Sequence, residues 1–240
     1  LVIARLVSWC AYAVLCLKVA PALRRPVRIR RAMLGPLIRF GGWMTVSNIV
    51  GPLMVHMDRF LIGAVVTMTA VTYYVTPYEV VSKLAIIPGA LMGVLFPAFA
   101  SALVQDRSHA TRLFDRSVNY IFLLLFPVVL IIVTFAHEGL TLWLGSEFAN
   151  NSSVVLQLLA VGGFINCHAQ VPFGMVQSAG RPDLTAKLHL IELPFYLLVL
   201  WWLIGDYGIV GAAIAWLARA AIDSVALFAM AHRILSPATP

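Results

Sequence analysis

The sequence predicts an all-α protein, a polytopic transmembrane helix bundle with about seven spans. Of its 240 residues, 61% are apolar and only 11% are charged, whereas soluble domains average about 45–50% apolar and about 25% charged. The apolar residues also fall in blocks of about 20 or more, the length at which a helix crosses the ~30 Å hydrocarbon core of a bilayer. These observations exclude a soluble enzyme, a DNA-binding module and a disordered tail.

Polar connectors separate the apolar blocks and set the predicted helix ends. The third block holds Pro77, Pro88 and Pro97, each of which removes a backbone donor and favours a bend. It also holds Gly89 and Gly93, and glycines at this spacing permit close contact between helices. The predicted spans are roughly residues 1–20, 41–65, 71–103, 117–143, 153–178, 184–205 and 208–232.

Basic residues occur in every second connector and give the predicted orientation. The connectors at 21–40, 104–116 and 179–183 and the C-terminal tail carry them, whereas those near 66–70, 144–152 and 206–207 contain no Lys or Arg. The positive-inside rule therefore places the basic connectors and the C-terminus in the cytoplasm. The net charge of +7 fits this orientation signal better than nucleic-acid binding. We expect a multi-pass protein of the cell inner membrane or plasma membrane.

Arg5 lies near the outer end of the first apolar block, where its side chain can reach the interface. Three further basic residues lie within the apolar blocks on three different predicted helices: Arg59, Lys83 and Arg219. A charge near the bilayer centre costs about 2.5–3.5 kcal/mol on insertion scales, so it must face protein or water. Two explanations stay open. The cations pair with nearby acids while the helices pack, or they line a polar cavity suited to an anionic ligand such as a phosphate or pyrophosphate. In the second case they are the substrate-binding residues.

Acidic residues accompany these cations. Glu79 and Lys83 are four residues apart, as are Arg219 and Asp223, so each pair can meet on one helix face. The lone acid Glu192 either carries a proton in exchange for a substrate or hydrogen-bonds a neighbouring helix. The predicted coupling or ion-pairing residues are Asp58, which adjoins Arg59, together with Glu79, Glu192 and Asp223.

Signatures of an enzyme or a metal centre are missing from the sequence. It has no metalloprotease motif, no acidic metal-binding pair and no glycine-rich phosphate loop with its lysine. Cys10, Cys16 and Cys167 lack metal-type spacing. The sequence therefore predicts no catalytic site, no metal site and no cofactor.

Four stretches together, in this order, resemble the polysaccharide transporter family of the multidrug/oligosaccharidyl-lipid/polysaccharide exporter superfamily, the O-antigen-type flippases. The first is 58–63, DRFLIG, and the second runs from Val71 to Pro97. The third is 177–183, QSAGRPD, and the last is 207–216, YGIVGAAIAW, which Arg219 and Asp223 follow.

This resemblance implies two six-helix lobes around a central cavity that alternates between the two sides of the membrane. Such proteins flip an undecaprenyl-pyrophosphate-linked oligosaccharide from the cytoplasmic to the outer leaflet, coupled to an ion gradient, for cell-surface polysaccharides such as O-antigen lipopolysaccharide. Residues 1–20 would be the last helix of a missing N-terminal lobe, 21–40 a basic cytoplasmic linker and 41–235 the six-helix C-terminal lobe. The implied partners are the lipid-linked oligosaccharide, membrane lipids, that N-terminal lobe and other polysaccharide-assembly proteins, and this chain alone should not transport.

Three other functions remain as alternatives. A multidrug or cation antiporter of the same superfamily should have an acid-dominated cavity, whereas the charges here are roughly balanced. A membrane-embedded glycan polymerase or acyltransferase should have long outer loops or an interfacial His/Asp site. A structural scaffold gains nothing from three cations in the membrane.

Overall fold

The computed structural model describes residues 2–19 and 31–236, and every element in that part of the chain is helical. The predicted all-α class is confirmed. The chain divides into two compact units between Arg39 and Phe40. The helices are α1 (Val2–Val19), α2 (Arg31–Val65), α3 (Met68–Ser82), α4 (Ile86–Gln105), α5 (Arg107–Thr134), α6 (Ala136–Leu144), α7 (Ser146–Ser178) and α8 (Pro182–Leu235).

The first unit contains α1 and the beginning of α2. The predicted linker 21–40 falls partly outside the described residues, because its arginine-rich part at 21–30 is not among them. Its remaining residues are helical, so α2 begins at Arg31 rather than at residue 41. Ala, Met and Leu in this stretch are strong helix formers, and a helix need not end where its apolar block ends.

Four helical stretches of the described chain are long and apolar enough to cross a membrane. Large apolar side chains such as Leu123, Phe195 and Ile222 are exposed on them, and a surface of this kind fits lipid contact. The chain is therefore a multi-pass membrane protein, while the count of about seven spans stays a prediction. The four stretches are Met68–Gln105, Arg107–Thr134, Ser146–Ser178 and Pro182–Leu235.

A short 3-10 segment, Lys83–Ala85, separates α3 from α4. Pro88 has no N–H to donate to the carbonyl of Leu84 four residues earlier, so the α-helical ladder is interrupted at this place. The helical interruption of the third block therefore lies before Pro88, whereas Pro77 and Pro97 lie inside continuous helices.

Gly89 and Gly93 make no close helix contact among the described residues, because a Cβ at either glycine would meet nothing within 4 Å. The close contacts lie on α7, which packs against α3, α4, α5, α6 and α8. A Cβ at Gly162 would collide with the Trp216 ring, and one at Gly163 would collide with Val81. The two glycines therefore allow α8 and α3 to approach α7.

The fourth predicted span, 117–143, is two helices rather than one. Its first helix, α5, begins at Arg107 because the Asp106 side chain accepts the Ser108 backbone N–H at 2.8 Å and caps the helix. Hydrogen bonds from the Ser108 hydroxyl and amide hold the pKa of Asp106 below its usual range. The helix ends at Thr134, and α6 follows after Phe135.

The last helix, α8, folds back on itself at Gly208, whose φ of 58° and ψ of −135° are accessible essentially to glycine alone. The backbone at Gly211 then packs directly against the Leu203 carbonyl. We call residues 182–207 the first arm and residues 209–235 the second arm of the hairpin. They correspond to the last two predicted spans, and the turn lies next to the predicted connector at 206–207.

Candidate functional site

The α8 hairpin encloses four polar side chains, which we call the hairpin cluster: His189, Glu192, Arg219 and Asp223. All four are buried. His189 and Glu192 lie three residues apart on the first arm, and Arg219 and Asp223 lie four apart on the second arm. Residues at these spacings share a helix face, so the reversal at Gly208 brings the two pairs together.

The carboxylate of Asp223 faces His189, and Oδ1 of Asp223 lies 3.6 Å from Nε2 of His189. Glu192 joins them, because one ligand atom each from His189, Glu192 and Asp223 lies within 4.8 Å of the other two. The guanidinium of Arg219 instead lies over the Tyr196 ring, with Cζ 5.5 Å from the ring centroid. The predicted pair of Arg219 with Asp223 therefore does not form in the described chain.

Several polar atoms of the hairpin cluster have no hydrogen-bond partner among the described residues. They are both carboxylate oxygens of Glu192, Nδ1 of His189, Nε of Arg219 and Oδ1 of Asp223. Buried polar atoms in proteins are nearly always partnered by protein or by ordered water. Unused donors and acceptors at one place therefore give the cluster the capacity to bind a small polar or charged ligand.

Two cavities adjoin the hairpin cluster, and Arg219 lines both of them. One, of about 400 Å³, lies between the two arms and is otherwise mostly apolar, with Glu192 and Tyr196 in its wall. The other, of about 180 Å³, lies between α2, α7 and α8. The polar residues in its wall are Ser47, Asn166, Gln170, His189, Arg219 and Asp223.

A second polar group joins α2 to α3 around Asp58, whose side chain is fully buried. The Tyr74 hydroxyl donates a hydrogen bond to Oδ2 of Asp58 at 2.6 Å. The backbone N–H of Arg59 donates to Oδ1 at 2.9 Å. The Arg59 guanidinium does not pair with this carboxylate, so the partner of Asp58 is a tyrosine on the next helix.

The Arg59 guanidinium belongs to a chain of charges with Glu79 and Lys83. It donates to Oε1 of Glu79 at 3.1 Å and lies over the Tyr78 ring, 5.0 Å from its centroid. Nζ of Lys83 lies 3.8 Å from Oε2 of Glu79, as the four-residue spacing predicts. The Lys83 side chain is 69% exposed and that of Glu79 52%, so these linked charges lie at the surface of the described helices.

The three sequence-predicted cations therefore occupy two places. Glu79 brings Arg59 and Lys83 together on α2 and α3, while Arg219 lies in the hairpin. The Tyr78 ring lies between the two groups, because it underlies Arg59 and also contacts Trp216 of α8 edge-on, at 6.0 Å between ring centroids.

Sequence reasoning missed the tyrosines that contact these charges, Tyr74, Tyr78 and Tyr196. The only signal available was the four-residue spacing of Tyr74 and Tyr78, which places them on one face of α3. A tyrosine in an apolar block equally suits ordinary packing, so this spacing does not distinguish a polar role.

Residues 1–154 match the family described as "Polysaccharide biosynthesis protein". This chain belongs to that family. The match includes Asp58, Arg59, Glu79 and Lys83, whereas the hairpin cluster lies beyond it.

Curated relatives of the chain come from bacteria and from an archaeon. A "Putative O-antigen transporter" of Shigella flexneri is 37% identical over 191 residues, which cover 80% of this chain and 45% of the relative. A "Probable low-salt glycan biosynthesis flippase Agl15" of Haloferax volcanii is 25% identical, covering 87% of this chain and 43% of the relative. The "Lipopolysaccharide biosynthesis protein WzxC" of Escherichia coli K12 is also 25% identical, covering 67% and 32%.

The chain thus spans less than half the length of each of these relatives. No solved structure matches it. The family match and the relatives confirm the resemblance to the polysaccharide transporter family that the sequence motifs indicated.

Proposed function

We propose that this chain forms one lobe of a flippase that moves a pyrophosphate-linked, lipid-anchored oligosaccharide from the cytoplasmic to the outer leaflet for cell-surface polysaccharide synthesis. In this proposal residues 41–235 are the second of two lobes, residues 1–20 are the last helix of the first, and the C-terminus is cytoplasmic. A transporter and a flippase among the relatives support the class of function.

The observation that carries the proposal is the burial of Arg219. This guanidinium lies between two apolar helical arms, has no partner for Nε among the described residues, and lines two cavities. A cation in such surroundings costs several kcal/mol unless it meets an anion or water. A planar guanidinium with free donors suits the oxygens of a phosphate or pyrophosphate.

We propose that Arg59 and Lys83 bind the same anionic head from the surface of the lobe. Both lie within an apolar helical region, yet Lys83 is largely exposed and Arg59 partly so. Exposed charges at this position need water or another lobe rather than lipid. A central cavity between two lobes would provide that environment. Glu79, which contacts both side chains, would hold the cations in place, and Asp58 would fix the start of this segment through the backbone N–H of Arg59.

We further propose that the coupling ion binds at His189, Glu192 and Asp223. Their potential ligand atoms lie within 4.8 Å of one another, and both oxygens of Glu192 are unused within the described chain. A cation or proton there would offset the two carboxylates and leave the positive charge of Arg219 to act on an anion. The expectation is that Glu192→Gln removes the dependence of flipping on an imposed proton or Na⁺ gradient.

The test of the function uses the complete open reading frame in cells whose surface polysaccharide requires it. Arg219→Ala should lower surface glycan about ten-fold or more, because a hydrogen bond to a charged group contributes about 1.5–3 kcal/mol. Lys83→Ala should also lower it, and Arg219→Lys should restore part of the display. The measured quantity is surface glycan per molecule of membrane-inserted protein.

The matched control is Arg112→Ala, which removes an exposed arginine whose partners are Asp106 and Ser108 on the surface. It should leave surface glycan unchanged. Normal display in both Arg219→Ala and Lys83→Ala would contradict the proposal. If Glu192→Gln lowers display while the residual flipping still depends on the imposed gradient, that result would contradict the coupling role of Glu192 but not the flippase function.

A further inference from the structure

A separate cavity of about 580 Å³ shares no lining residue with the hairpin cluster or with the group around Asp58. It lies where α4 ends, α5 begins, α7 turns into α8, and α8 ends. Three arginines from three different places in the chain line it, and apolar side chains complete its wall. The arginines are Arg107, Arg181 and Arg233, and the apolar residues include Leu103, Val104 and Ile234.

The three guanidinium groups keep most of their donors free. Nη1 of Arg107 donates only to the Ser236 carbonyl, at 3.3 Å. Arg181 pairs with Asp183 through two hydrogen bonds, with Nε 3.0 Å from Oδ1 and Nη2 3.4 Å from Oδ2. No acid pairs with Arg233 in the described part of the chain. Each guanidinium carries five N–H donors, so the cavity has a clear excess of positive charge and of donors.

The apolar part of the wall distinguishes lipid from a soluble anion. Val104 is 88% exposed and lies three residues before Arg107, at the end of a stretch that is long and apolar enough to span a membrane. An apolar surface directly beside arginines at the end of a span suits a ligand with a phosphate at one end and acyl chains at the other. Basic pockets between transmembrane helices bind anionic lipid head groups in this way.

We propose that this cavity binds the phosphate group of an anionic membrane phospholipid, with its acyl chains along Leu103 and Val104. The arginines would donate to the phosphate oxygens in the paired geometry that guanidinium groups favour. The inference does not depend on the flippase proposal, because it uses none of the residues assigned to the substrate or the coupling ion.

The experiment is native mass spectrometry of the complete protein, purified in detergent and titrated with phosphatidylglycerol or with zwitterionic phosphatidylcholine of the same chains. We expect one phosphatidylglycerol to be retained preferentially. Each Arg→Gln change at 107, 181 or 233 should weaken retention about five-fold, since a basic residue near an anionic lipid contributes about 1 kcal/mol. The triple variant should therefore lose about 100-fold.

Two further triple variants make the result specific. Arg→Lys at the same three positions keeps the charge and should recover most of the retention. Arg→Gln at Arg39, Arg112 and Arg116 removes the same charge from exposed positions outside the cavity and should change retention little. Equal losses in the two Arg→Gln triples would show general attraction to positive charge and overturn the proposal, as would no loss in either.

Competition with inorganic phosphate distinguishes a phospholipid from a soluble phosphate as the ligand of this cavity. Excess phosphate should displace phosphatidylglycerol only weakly, because it cannot use the apolar wall beside Val104. Complete displacement at equal concentrations would mean that the cavity takes a soluble anion, and it would overturn the assignment to lipid.

Discussion

Replacing Tyr74 by Phe tests the hydrogen bond between Tyr74 and Asp58, two side chains that are both fully buried. The change removes the hydroxyl that donates to Oδ2 of Asp58 at 2.6 Å, while the ring that packs in the core remains. The other oxygen, Oδ1, keeps the backbone N–H of Arg59. The variant therefore loses one hydrogen bond to a buried carboxylate without creating a large cavity.

The expected cost is about 2 kcal/mol in the free energy of unfolding, because a hydrogen bond to a charged group contributes about 1.5–3 kcal/mol and its loss leaves a buried acceptor unpaired. This corresponds to about a 30-fold change in the unfolding equilibrium. The assay is reversible unfolding of the complete protein in mixed micelles with increasing dodecyl sulfate, followed by helical circular dichroism. Tyr73→Phe is the matched control, since its hydroxyl reaches only the exposed Glu147 at 3.5 Å, and it should cost less than about 0.5 kcal/mol.

A double-mutant cycle with Asp58→Leu isolates the pairwise interaction. In the Asp58→Leu background Tyr74→Phe should cost almost nothing, because the hydroxyl has already lost its acceptor. If Tyr74→Phe costs the same in both backgrounds, the two side chains are not coupled and the reasoning from their geometry is refuted.

Two glycine substitutions test the hairpin and the packing of α7 by the same unfolding assay. Gly208→Ala forces a side chain into a backbone conformation with φ of 58° and should cost about 1–3 kcal/mol. Gly205→Ala is the control, because nothing lies within 4 Å of its Cβ, and it should leave stability unchanged or raise it by up to about 1 kcal/mol. Equal stabilities of the two variants would contradict the reversal at Gly208. Gly163→Ala brings a methyl group against the buried Val81 and should cost about 1–3 kcal/mol. Gly139→Ala is its control, because open space surrounds that position, and a neutral Gly163→Ala would contradict the close approach of α3 to α7.

Features that depend on residues close together in the sequence could be predicted from it. The interruption before Pro88 follows from one missing donor, and the pair of Glu79 with Lys83 follows from helical spacing. The turn of the hairpin is predicted at residues 206–207, between two apolar blocks. It lies at the next residue, Gly208, whose backbone conformation requires glycine. Apolar blocks likewise predict spans, but they do not locate the ends of helices that extend beyond the apolar block, as α2 and α5 do.

Contacts between helices could not be predicted in the same way. Whether Asp223 meets Arg219 on its own arm or His189 on the other arm depends on how the two arms rotate against each other. The choice of Tyr74 as the partner of Asp58 depends likewise on the packing of α3 against α2. Spacing along one helix therefore identified polar residues that share a helix face, while leaving their partners undetermined.

The most direct test of the proposed function measures where the lipid-linked oligosaccharide resides in the membrane. Cells that depend on the complete open reading frame would carry either the natural protein or Arg219→Gln at equal membrane levels, and the glycan accessible from outside would be compared with the total. The account predicts that in Arg219→Gln cells the lipid-linked oligosaccharide accumulates on the cytoplasmic side. An unchanged outward fraction in those cells would contradict the central role assigned to this buried cation.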